Sequence, residues 1–194
     1  ATHLMGVSAF LLAMKLQPKE THALLRVTAT LVRTWLEAQA EVLPEVGGVV
    51  VLDDIAGFIS PRDYLEFAHP YLAEVLGAFP GALKIFHNDT NNPVLFGHVG
   101  ELGVQIFNFT HLQPIAEVRR RAGPGVCLMG NVPPLEVLVQ GDAERVRESG
   151  RRCVREHVGA AGLLLSAGGG VSPGTPGENI EALLAAVLEE SDDA

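Results

Sequence analysis

The residues able to do chemistry gather in a few short phrases. His87 and Asp89 stand two apart, and on an extended strand end an imidazole and a carboxylate at that spacing share a side and can chelate one cation. Asp53 and Asp54 are adjacent, so in strand geometry they project to opposite sides and at most one faces a shared interior as an acid or base. The alternative is that one of them caps the following loop by accepting its N–H groups. Asn108, Thr110 and His111 form a third phrase, Asn131 a fourth, and Ser166 leading into Gly168, Gly169 and Gly170 a fifth. Backbone N–H groups in such a glycine turn can receive an anionic group of a ligand, a carboxylate or phosphate, although the same glycines also suit a plain turn before Pro173. A cation begun by His87 and Asp89 needs more ligands, and His111 with Asp53 or Asp54 are the residues to supply them. His22, His69, His98 and His157 fall on expected helices and take no role.

These phrases acquire meaning from the elements that carry them. Short apolar runs alternate with amphipathic helices, the pattern of βα units around a parallel sheet. Strands are expected at 49–54, 83–87, 104–109, 126–131 and 163–167, and their continuous apolar character suits burial on both faces. After Ser60 as N-cap and Pro61 at the first helical position, Tyr64, Phe67, Leu72, Val75, Leu76 and Phe79 recur at helical steps. A long helix follows Pro18, Asp142 caps another, and Thr175, Pro176 and Glu178 read as a capping box before the last. In parallel βα folds the reactive groups collect at the carboxyl ends of the strands. Each polar phrase above falls at such an end, which packing alone does not explain.

Composition narrows the function classes. With 23 acidic against 14 basic residues and a net charge of -9, the chain repels phosphate backbones and anionic lipid at long range, so neither nucleic acid nor membrane is expected as a partner. The one basic run, Arg119, Arg120 and Arg121, is expected to complement a helix dipole and stay solvated. Cys127 and Cys153 show no paired spacing and are expected as reduced core residues of a cytoplasmic protein. The chain opens on Ala1 and runs straight into an apolar segment, which reads as part of something longer. Five βα units are too few for a closed eight-stranded barrel, so the first strands are expected to be missing or supplied by another chain. Periodicity alone leaves a free-standing doubly wound sheet open as well.

Several segments together resemble the superfamily that contains uroporphyrinogen decarboxylase and the methylcobamide-dependent methyltransferases. They are Thr2-His3-Leu4-Met5-Gly6-Val7; Asp53-Asp54-Ile55-Ala56-Gly57 running into Ser60-Pro61, Tyr64, Glu66-Phe67 and Pro70-Tyr71; Gly130-Asn131-Val132-Pro133-Pro134; and Gly168, Gly169 and Gly170 with Thr175-Pro176 and Glu178-Asn179-Ile180. The resemblance implies an α/β fold, a (β/α)8 TIM-type barrel of which residues 1–194, as one domain, carry about the last five βα units. It also implies a cleft at the C-terminal mouth.

Two activities follow from the resemblance. In the decarboxylases a tyrosine, a small polar group and a histidine are expected where this chain has His3, Asp54 and Gly169. In the thiol-directed methyltransferases a zinc is held by a His-x-Cys pair and a later cysteine; here His87 matches, Asp89 replaces the first cysteine and Gly169 the second. The His-x-Asp pattern lies closer to the methyltransferase branch and implies corrinoid- or one-carbon-linked methyl transfer, with porphyrinogen decarboxylation, a lyase reaction of porphyrin biosynthesis, as the alternative. A non-catalytic remnant or interaction module is the third reading. The expected catalytic residues are Asp53, Asp54 and His87. Ligand contacts are expected from His3, Asn108, His111, Asn131 and residues 168–170, and metal ligands from His87 and Asp89. The cofactor is left open between a divalent metal and a corrinoid supplied by a partner protein, beside a small-molecule substrate, and a homodimer is left open too.

Overall fold

The computed structural model describes residues 1–157 and 162–192. Five strands, β1 (Gly48–Leu52), β2 (Leu83–Asn88), β3 (Ile106–Phe109), β4 (Cys127–Val132) and β5 (Leu163–Ala167), form one sheet. All neighbours are parallel, and the spatial order β1-β2-β3-β4-β5 is the sequence order. That order decides between the two architectures. A doubly wound sheet reverses its strand order at a switch point, and no reversal occurs among the described strands. The sheet is that of a (β/α)8 barrel in which this chain supplies five units, with β1 and β5 each paired on one side.

The register sorts the side chains into two faces. Phe86 lies opposite Phe107, Phe107 opposite Leu128, and Leu128 opposite Leu163. Phe86, Phe107 and Leu128 are wholly buried under the helices, and each such side chain contributes about 1.5–3 kcal/mol by leaving water. On the other face Leu52 lies opposite His87, His87 opposite Asn108, Asn108 opposite Met129, and Met129 opposite Leu164. This second face is not covered as the apolar runs suggested: Leu52 is 70% exposed and Val50 53%. It is the side that faces the inside of the barrel, and among the described residues no layer packs over it.

The helices begin where their sequences provide the means. Helix α1 spans Thr2–Met5, α2 Val7–Leu16 and α3 Pro18–Val42, with Pro18 at its first position. One side of α3 packs on the next helical segment, where the His22 ring stacks on Phe67 at 4.6 Å and its Nδ1 lies 2.8 Å from the Tyr71 hydroxyl. The other side carries an uncovered stripe of Val27, Leu31, Trp35 and Val42. That next segment starts as α4 (Pro61–Asp63), widens into a π-helical turn (Tyr64–Ala68) and continues as α5 (His69–Gly77). Pro70 has no N–H to give the carbonyl four residues back, so the ladder shifts by one residue there. Helices α6 (Ile115–Ala122), α7 (Ala143–Glu156) and α8 (Gly177–Asp192) complete the layer. Asp142 caps α7 as expected, accepting from Arg145 N at 2.9 Å. Thr175 does not form the expected capping box; its hydroxyl donates to Ser172 O at 2.8 Å, and α8 begins two residues later.

Arg119 corrects the reading of the basic run. Arg120 and Arg121 are solvated partners of Glu117, but Arg119 is buried and its guanidinium donates to the carbonyls of Gly123, Val126 and Gly162. It staples the end of α6 to the starts of two strands. A run of three like residues on a helix cannot lie all on one side, and the one facing the sheet finds backbone acceptors. Among the described residues no helix is long and apolar enough to cross a membrane.

The Ser60 cap is reciprocal. Its hydroxyl accepts from Asp63 N at 3.2 Å and donates to Asp63 Oδ2 at 2.6 Å. Lys15 from α2 adds its ammonium 2.6 Å from the same buried carboxylate. Hydrogen bonds from Lys15 and then Ser60 hold the Asp63 carboxyl below its ordinary range. A depressed folded-state value stabilises the fold above the unfolded carboxylate range and loses that contribution as pH falls through the folded value. Asp63→Asn should therefore cost on the order of 1–3 kcal/mol at neutral pH and flatten the acid limb of the stability profile. Urea unfolding at pH 7 and at stepwise lower pH reads both, and an unchanged acid limb would remove Asp63 from the account.

Candidate functional site at the strand ends

The carboxyl ends of β1 and β2 bring Asp54, His87 and Asp89 together. One ligand atom from each lies within 4.8 Å of the others. His87 Nε2 stands 3.8 Å from Asp54 Oδ1, and Asp54 Oδ1 also accepts from the Asp89 backbone N–H at 3.1 Å. The His87 side chain is 16% exposed and that of Asp54 44%, so the group opens to solvent on the barrel's inner side.

Register determines how His87 is held. Its neighbour on β3 is Asn108, whose Nδ2 donates to Met129 O at 2.9 Å and to Ala167 O at 3.4 Å. With the amide turned that way, Asn108 Oδ1 is an acceptor, 2.5 Å from His87 Nδ1. The neutral imidazole then carries its proton on Nδ1, and the Nε2 lone pair faces Asp54. An outer hydrogen bond of this kind fixes both tautomer and ring orientation in metal-binding histidines. Sequence reasoning had Asn108 as a ligand contact; its amide is occupied by His87 and two backbone carbonyls.

The two aspartates separate, both past the end of β1 at Leu52. Asp54 faces His87. Asp53 turns into the loop, its Oδ1 accepting from Ala56 N at 3.2 Å while its backbone joins β2 through His87 O and Asn88 Nδ2. Burial pushes the Asp53 carboxyl above its ordinary value, and the N–H groups of Ala56 and Ile55 pull against that. Burial, and after it the charge of Asp54, raises Asp89 as well. Two carboxyl groups and an imidazole thus lie within 4.8 Å of one another, close enough for one cation to be held between them.

The loops are locked by further polar groups, Asn88 at the end of β2 and Thr90 and Asn92 after it. Buried Asn88 accepts from Thr90 Oγ1 at 2.6 Å, and Asn92 Nδ2 donates to Gly57 O at 2.7 Å. A Cβ on Gly57 would stand 1.8 Å from Thr90 Oγ1. Their signal was weak, since Asn and Thr after a strand are common in turns.

The remaining expected residues lie around this centre in different ways. Asn131 is buried, donating to Thr110 O at 3.3 Å and Gln113 O at 2.8 Å, and so ties the β3 loop to β4. His111 does not join Asp54, His87 and Asp89. It lines a separate open cleft of 880 Å³ beside α7, with Pro133, Arg145, Ser149 and Arg152, and its buried Nδ1 finds no hydrogen-bond partner among the described residues. His3 is exposed on α1, outside the cluster. Gly168 and Gly169 are buried and Gly170 is exposed. A Cβ on Gly169 would approach Asp89 Oδ2 to 2.9 Å, at a φ of +103° that side chains rarely adopt. The glycine thus lets the loop run close behind the carboxylate.

A family model described as uroporphyrinogen decarboxylase (URO-D) matches residues 1–190. Similar proteins include a uroporphyrinogen decarboxylase of Nocardia farcinica, 31% identical over 182 residues, which are 91% of this chain and 50% of the relative. Another, from Frankia casuarinae, is 32% identical over 82% of this chain and 42% of its own length. The chain spans about half the length of the curated relatives it matches. A solved methyltransferase from Methanosarcina mazei superposes with a TM-score of 0.85 over 98% of this chain and 55% of its own, at 19% identity, a likeness of fold.

Gly168 offers a direct test of the loop packing. A Cβ there would meet His111 N at 2.4 Å and its Cα at 2.7 Å, whereas nothing lies within 4 Å of one on Gly170. Gly168→Ala should lower stability by about 1–3 kcal/mol and Gly170→Ala by well under half of that. Paired thermal melts of the two variants measure it, and equal melting temperatures would contradict the close approach.

Proposed function

The chain belongs to the uroporphyrinogen decarboxylase family, and from that premise we propose that it forms the mouth of an enzyme for corrinoid- or one-carbon-linked methyl transfer, with a divalent cation at Asp54, His87 and Asp89. The observation that carries this reading is the convergence of those three side chains, with the His87 tautomer set by Asn108. A relative's fold supports it, since the Methanosarcina mazei protein of like architecture is a methyltransferase.

The donor set fits a particular kind of ion. One imidazole and two carboxylates favour a hard or borderline divalent cation, and the thiolate-rich zinc site implied by the family resemblance does not form with Asp89 and Gly169 at the cysteine positions. When bound, such a cation supplies Lewis acidity that lowers the pKa of a methyl-accepting group. The chain's own residues do the rest. Asn108 keeps the Nε2 lone pair forward, Asp54 and Asp89 orient the acceptor or take its proton, and Gly168, Gly169 and Gly170 lie against the bound ligand. The methyl donor is a methylated corrinoid, free or carried by a partner protein.

A second reading has its own observation: the relatives from Nocardia farcinica and Frankia casuarinae are named uroporphyrinogen decarboxylases. A porphyrinogen rich in carboxylates needs cations around it, whereas this rim presents Asp54 and Asp89. In that reading the cations come from residues outside those described.

The native polypeptide carrying this chain, assayed with methylcobamide and small acceptors, should transfer a methyl group and hold a stoichiometric divalent metal. His87→Ala should lower the rate by about 10²-fold or more, and Asn108→Ala should weaken metal retention by about 10–100-fold. Metal-free turnover of uroporphyrinogen with no effect of His87→Ala would replace this reading with the decarboxylase. Binding of neither porphyrin nor corrinoid would leave the non-catalytic module.

A further inference from the structure

A second convergence of ligand atoms lies away from the strand-end mouth, in the helical layer outside the sheet. His69 opens α5, His98 ends a 3-10 turn (Pro93–His98), and Glu101 follows on the approach to β3. One ligand atom from each of the three lies within 4.8 Å of the others. His98 Nδ1 is 2.9 Å from Glu101 Oε2, and His69 Nε2 is 3.8 Å from the same oxygen.

Tyr64 makes this more than a loose ion pair. Its ring is wholly buried, its hydroxyl lies 3.2 Å from His69 Nδ1, and the same ring stacks on His98 with centroids 5.4 Å apart. Both imidazoles are therefore positioned by one immobile side chain. With Nδ1 engaged by the hydroxyl, His69 turns Nε2 outward toward Glu101, the arrangement that outer hydrogen bonds impose on metal-ligating histidines. The His69 and His98 side chains are 21% and 27% exposed and that of Glu101 58%, so an ion can enter from solvent.

We propose that His69 Nε2, His98 Nδ1 and the Glu101 carboxylate form a binding site for a borderline divalent transition cation of the zinc class, with water in the fourth position. For metal-to-ligand bonds of about 2.0–2.1 Å in a tetrahedron, ligand atoms stand about 3.3 Å apart. The separations of 2.9 and 3.8 Å bracket that value, and the third pair lies within 4.8 Å. Two imidazoles with one carboxylate select zinc-class ions over magnesium or calcium, which prefer all-oxygen shells. The ion clamps α5 to the segment leading into β3.

Calorimetric titration of the full chain with Zn²⁺ tests this independently of the mouth. In a His87→Ala background, which disables the other cluster, one Zn²⁺ should still bind, and adding His98→Ala or Glu101→Gln should weaken it by about 100-fold. Co²⁺ substitution in the same background should give the visible absorption of a four-coordinate ion. Because Glu101 is exposed, Glu101→Gln keeps the test readable if His98→Ala fails to fold. Zn²⁺ isotherms unchanged by both substitutions, or no binding in the His87→Ala background, would overturn the site.

Discussion

Parallel register is the constraint on which the rest of this structure depends. When strands lie side by side in sequence order, all of their carboxyl ends reach one rim, and residues at equal register share a face. That places Leu52, His87, Asn108 and Met129 in one row on the barrel's inner side, while Phe86, Phe107 and Leu128 fill the buried side. A slip of one residue would exchange the two rows. His87 would enter the apolar layer and lose Asn108, and a phenylalanine would stand at the rim. The wholly buried aromatic row therefore secures the position of the polar one.

The tautomer of His87 follows from that same register. Asn108 is held by carbonyls from β4 and β5, so the proton location on an imidazole in β2 is determined by strands up to three places away. Gly169, at the end of β5, fits closely behind Asp89. The cluster of three ligands thus draws on all five strands, which is why a sheet of this extent is needed to hold it.

Much of this was legible in the sequence, because apolar periodicity, helix caps and the polar phrases after each strand are local properties. The five strands fall within two residues of their expected limits, and Ser60, Pro18 and Asp142 start their helices. Asp53 and Asp54 do part, but past the end of β1, where strand alternation no longer applies. What was not legible depends on contacts between distant segments. Arg119 looked like a solvated cation because the carbonyls it reaches belong to other elements. His111 was grouped with His87 on type and rim position, yet it lines a different cleft, beside α7. Asn108 could be placed at a strand end, but its service to His87 needs the register. His69, His98 and Glu101 gave no signal, since their meeting depends on how α5 lies against the approach to β3.

The uncovered stripe on α3 has an optical consequence. Trp35 is the only tryptophan in the chain, and it stands 66% exposed in the middle of that stripe. Indole emission responds to the polarity of its surroundings, and here every photon of it reports from one helix face. The chain carries its own gauge of whether that face is wet or covered, with no second indole to blur the reading.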